Sequence, residues 1–127
     1  MKNFAEKLRS VEREISAEKG PFLLFALFLR EDAADSWDFV VSAQWLEADK
    51  GAALRYLAPK LQAVASLEEL GKLSRIVILG RDQPALAAIQ SAYDVEHGFA
   101  EVDHSNFDGL KIEQAYIITS RRERMAV

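Results

Sequence analysis

Ser74-Arg75-Ile76-Val77-Ile78-Leu79-Gly80, followed at once by Arg81-Asp82-Gln83-Pro84, is the stretch that decides the fold class. Four consecutive large apolar residues predict a strand buried on both faces, placed in the interior of a sheet. Gly80 is expected to end it in a tight turn at positive φ. Asp82 and Pro84 then mark the start of a helix running to Tyr93. The result is a strand–turn–helix unit, and the chain on either side of it reads as cover for that strand.

The preceding half supplies a helix and a hairpin. Phe4, Leu8, Val11 and Ile15 recur at spacings of four, three and four, so residues 3–18 form an amphipathic helix with one apolar stripe. Its other side carries Lys2, Glu6, Lys7, Arg9, Arg13 and Glu14, the composition of a solvated face. Gly20-Pro21 stops the helix. Phe22 to Leu29 is then an unbroken apolar run, read as a strand covered on both sides, with Arg30, Glu31 and Asp32 as charged gatekeepers against aggregation. From Trp37 to Trp45 the pattern alternates, with Trp37, Phe39, Val41, Ala43 and Trp45 on one face. That is a half-buried strand, and the short connection makes it the antiparallel partner of the run before it.

A second helix starts at Asp49, and Pro59 inside it predicts a kink or break near Ala58. Ser66-Leu67-Glu68-Glu69 has the spacing of a capping box. Beyond the 82–93 helix, Phe99 to His104 reads as a short strand and Ser105 to Gly109 as a turn-rich loop. Lys111 to Ser120 reads as a final strand, and residues 121–127 as a frayed tail. The fold expected is therefore α/β (α+β). It is a single domain over residues 1–127, a mixed sheet of four to five strands with helices on both faces, in the order α-β-β-α-β-α-(β)-β.

Composition limits function more than it reveals it. The chain has 127 residues, half of them apolar and 28% charged, which is a globular balance. It contains no cysteine, so disulfides, thiolate metal sites and cysteine nucleophiles are excluded. The formal charge of −4 argues against duplex binding, which draws its affinity from Lys and Arg on phosphates. The longest apolar run, eight residues, falls short of the roughly 20 a spanning helix needs. The N-terminal residues lack the pattern of a signal peptide. A cytoplasmic protein is expected.

The motifs are incomplete. The Gly80 turn has one glycine and no following Lys-Ser or Lys-Thr, so a capped helix start explains it better than a phosphate loop. The segment Asp94 to Asp108 holds both histidines, His97 and His104, and five carboxylates. Imidazole titrates near neutrality, and carboxylates orient it or share a metal, so His97, Asp103 and His104 are the candidate catalytic residues. Their spacing matches no metal motif, and a solvated acidic turn with two surface histidines is the plainer account. On that account, changing both histidines to Gln would shift stability by no more than about 0.5 kcal/mol. A restriction-type nuclease lacks its acid-x-Lys half, and no serine stands in a nucleophile elbow. Arg121-Arg122-Glu123-Arg124 reads as a solubilising tail. Trp37 and Trp45 are candidate partner-binding residues, since tryptophan is enriched in interface hot spots, although core positions suit them as well. No cofactor is implied. The functional expectation is a non-catalytic binding or regulatory module, self-associating or bound to a protein partner. The alternative is a small metal-assisted hydrolase with a site near His97, Asp103 and His104.

Overall fold

The computed structural model describes residues 1–33 and 35–123. The end of the predicted tail, residues 124–127, lies outside them, as does Ala34 in the first hairpin connection.

The elements run α1 (Lys2–Lys19), β1 (Leu24–Arg30), β2 (Trp37–Ser42), a 3-10 turn (Gln44–Leu46), α2 (Lys50–Val64), α3 (Leu67–Lys72), β3 (Leu73–Ile78), α4 (Pro84–Ala92), β4 (Ala100–Phe107) and β5 (Leu110–Ser120). The five strands form one mixed sheet in the order β3-β2-β1-β5-β4. β1 is antiparallel to β2 and to β5, β4 is antiparallel to β5, and β2 and β3 are parallel. The carboxyl ends of β2, β3 and β5 therefore share one edge of the sheet.

The expected mixed sheet with helices on both faces is what forms, and the pleat explains it. Phe25, Leu27 and Leu29 of β1 meet α1 and α2 together with Phe39, Val41, Tyr116 and Ile118. Leu24, Ala26 and Phe28 point the other way, into a second core with Val102, Ile117 and the α4 residues Leu86 and Ile89. An eight-residue apolar run is required because the middle strand of the sheet has no solvent side.

That middle strand is β1, and here the sequence-based expectation is corrected. Ile76 to Leu79 is not interior: β3 is a terminal strand paired with β2 alone, and Ile76, Val77, Ile78 and Leu79 are each half-buried. An apolar run identifies a strand, but its lateral position depends on which strands it pairs with. β2 is also more deeply covered than expected. Asp38 and Ser42, on its supposed solvent face, are buried, Asp38 between the guanidinium groups of Arg30 and Arg75. Trp45 leaves the strand and belongs to the 3-10 turn.

Pro59 does not break α2. It lies on the exposed side, where water can satisfy the carbonyl one turn earlier. The N-cap of α4 is Gln83 with Pro84 at its first position, so Asp82 is not the cap, and Gly80 does not take a positive φ. The Ser105–Gly109 loop shrinks to a turn. β4 runs through Phe107, and Asp108 (φ 53°) with Gly109 (φ 92°) makes a two-residue hairpin of the Asp-Gly kind. No helix among the described residues is long and apolar enough to cross a membrane.

Candidate functional site

Two neighbouring features carry the chemistry. The first is built on α1 and β5. Opposite β1, Phe25 pairs with Thr119 but Ala26 pairs with Ile117, so Ile118 is an extra residue in β5. A bulge of this kind turns consecutive side chains toward the same face. Ile118 enters the core under α1, and the Thr119 hydroxyl reaches Glu12 on α1.

Glu12 occupies the apolar stripe of α1, four residues after Leu8 and three before Ile15, and is 0% exposed. Its carboxylate accepts from Thr119 Oγ1 at 3.1 Å and faces His97 Nδ1 at 2.5 and 2.9 Å. The ring closes through the His97 backbone N–H, which donates to Thr119 Oγ1 at 3.1 Å. His97 holds a φ of 53°, uncommon for a residue with a side chain, and the chain on either side is pinned to β5 by Val95 and Gly98. Nδ1 is the ring nitrogen that faces the carboxylate, and the imidazole is half-exposed. A carboxylate that orients an imidazole in this way can serve acid–base work or simply satisfy a buried charge.

The structure thus separates the three candidates. His97 is not the surface histidine of a solvated turn, and its partner is Glu12 rather than Asp103 or His104. Those two lie exposed on β4, at the far edge of the sheet. Among the described residues, no three His, Asp or Glu side chains are placed to hold a metal ion.

The second feature is a cleft of about 730 Å³ at the shared carboxyl edge. Ligands of open α/β sheets gather at such an edge. Trp45, from the turn after β2, forms part of its wall, and its indole N–H donates to the Gly20 carbonyl at 3.0 Å. Gly20 suits the place because its φ is 122°, and a Cβ there would stand 3.2 Å from the indole, which would have to give slightly. Phe22 and Tyr56 pack edge-on against the same ring. Arg121 enters from the end of β5, held by the Phe22 carbonyl at 3.2 Å and Glu96 at 2.9 Å, so the first residue of the expected tail is anchored. Lys19 and Glu123 complete a lining that carries both signs of charge. Next to it Glu47 bonds the backbone and the guanidinium of Arg81, which holds the Glu47 carboxyl below its ordinary range.

Of the two tryptophans, Trp37 is 6% exposed and stacks on Tyr116 in the core, while Trp45 stands half-buried at the cleft. Glu12 and Thr119 escaped the sequence reading, although a glutamate within the apolar stripe of α1 was a visible signal. No protein-family model, no curated protein and no solved structure matches this chain.

Proposed function

We propose that this protein is a non-catalytic binding or regulatory module of the cytoplasm that self-associates, and that the Trp45 cleft is its ligand site. The observation that carries this reading is an indole fixed on three sides within a 730 Å³ cleft at the carboxyl edge of the sheet. A flat apolar wall flanked by Lys19, Arg121, Glu96 and Glu123 suits a small ligand with an apolar body and charges of both signs. A thermal-shift panel of amino acids, nucleotides and short zwitterionic amphiphiles tests it. Ligand at about 100 times its dissociation constant adds roughly 2.7 kcal/mol of stability. Trp45→Ala should abolish the response and Trp37→Phe should keep it. Silence across all three classes, or a response that survives Trp45→Ala, overturns the assignment.

A second reading, a small enzyme of the metal-assisted hydrolase kind, is supported by one feature: the half-exposed imidazole of His97 held through Nδ1 by the buried Glu12. Asp103 and His104 lend it nothing. Divalent metal that raises the melting temperature of the parent but not of His97→Gln would favour this reading over the first.

A further inference from the structure

The two edges of the sheet are not alike. β4, at one end, presents Glu101, Asp103, His104 and Asn106 to solvent, and His104 at φ 45° interrupts its alternation. Charge and kinks of this sort block strand addition. β3, at the other end, is less protected. Its stretch Arg75 to Leu79 contains one charge and four large apolar residues, with no proline and no positive φ. That single charge is already matched, since Arg75 donates to the buried Asp38 at 3.2 and 3.3 Å.

The open hydrogen-bonding groups can be identified. Leu79 N–H donates to the Val41 carbonyl, so odd-numbered residues of this stretch turn their main chain toward β2. The N–H and C=O of Ile76 and Ile78 therefore point outward, and among the described residues no loop or helix bonds to them. Beside them lies a groove of about 250 Å³ between β3, α2 and α3, lined by Ala58, Leu61, Leu70, Leu73 and Ile76 together with Gln62, Ser74 and Arg75. An outward ladder next to a groove with an apolar floor is the arrangement that binds an added strand.

We infer that the added strand is β3 of a second copy, paired antiparallel about a two-fold axis through Val77 to give one continuous ten-stranded sheet. This deepens the self-association proposed above by naming its surface. The register follows from three constraints. A two-fold axis perpendicular to the sheet keeps each face on its own side, so it must pass through a residue. An axis at Arg75 would oppose two arginines, one at Ile78 would set Arg75 against Arg81, and one at Leu79 would carry the pairing into the turn beyond Ile78. An axis at Ile76 would require Ser74 to take part, and Ser74 is displaced by the register shift between Trp37 and Asp38. At Val77, Ile76 faces Ile78 of the second copy as a hydrogen-bonded pair on the α2 side. Arg75 faces Leu79 and Val77 faces itself as non-hydrogen-bonded pairs. Ile78 from each copy then lies beside the groove of the other.

The chain has no cysteine, which makes a direct test clean. In a non-hydrogen-bonded antiparallel pair the Cα atoms stand about 4.5 Å apart, within disulfide reach. Val77→Cys under mild oxidation should cross-link to a dimer at least tenfold faster than Arg75→Cys or Asp103→Cys. Light scattering of the unmodified chain at micromolar concentration should give twice the 14.2 kDa chain mass. Val77→Lys should give a monomer with an unchanged circular dichroism spectrum. A monomer at every concentration overturns both this inference and the self-association it rests on. A dimer in which Val77→Cys fails to cross-link, or in which Asp103→Cys cross-links as fast, overturns the β3 surface alone. The ligand response of the Val77→Lys monomer reports separately on the Trp45 cleft.

Discussion

A carboxylate taken wholly out of water is tolerated only when its oxygens are answered, and Glu12 has two partners for them. His97→Ala removes the closer one and leaves a buried carboxyl group with a single hydroxyl partner, which should cost about 3–5 kcal/mol. Adding Glu12→Leu to that variant should restore most of the loss, because an apolar residue suits the stripe between Leu8 and Ile15. Urea midpoints of the two variants measure both effects. A small loss in the single variant, or no recovery in the double, would mean that the ring of Glu12, His97 and Thr119 is not what holds α1 to β5. The earlier expectation of no more than about 0.5 kcal/mol for changing the histidines applies to His104, which is exposed, and not to His97.

Among the elements, α3 shows how far short-range signals reach. Ser66 accepts from the Glu69 N–H at 3.1 Å, and the Glu69 carboxylate accepts from the Ser66 N–H at 2.9 Å, the reciprocal box its spacing announces. Glu69 also binds Lys7 of α1, so this short helix is tied to the first one. Ser66→Ala should cost about 1 kcal/mol, read as a shift in denaturation midpoint with an unchanged slope. Features of this kind were legible: the stripe of α1, the two-faced run of β1, the β1–β2 hairpin and the helix start at Asp49. What was not legible depends on partners distant in sequence. Ile76 to Leu79 looks the same whether one neighbour flanks it or two. The bulge at Ile118 exists only relative to Phe25 and Ala26, so nothing local could show Thr119 turning toward Glu12. The positive φ of His97 likewise goes with bonds to β5 that lie more than twenty residues away in sequence.

At the scale of the whole molecule, stability should fall at both ends of the pH range. Burial, and then the Glu18 carboxylate it bonds at 2.6 Å, push the Tyr56 hydroxyl up to about 12. An unfolded tyrosine ionises near pH 10. The native state thus keeps a proton that the unfolded chain loses, and stability declines as pH rises from about 10 through 12. The acid limb has the opposite sign. Glu47 is held low by the Arg81 N–H and guanidinium, and Glu18 by the Tyr56 hydroxyl, so their contribution is full above the ordinary carboxylate range and is lost below it. Urea midpoints from pH 3 to 12 test both limbs, and a midpoint that kept rising above pH 10 would contradict the alkaline one. The order β3-β2-β1-β5-β4 has a further consequence, for synthesis. β5 follows every other strand along the chain, yet it lies between β1 and β4 and covers one whole flank of β1. While the ribosome is still extending the polypeptide toward residue 110, β1 can find β2 but not its second neighbour. The nascent chain therefore carries Leu24 to Arg30, its most apolar strand, with one edge bare. The native sheet cannot assemble strand by strand as they emerge; it must wait for β5, and until then the β1–β2 hairpin is the segment that a chaperone would have reason to hold.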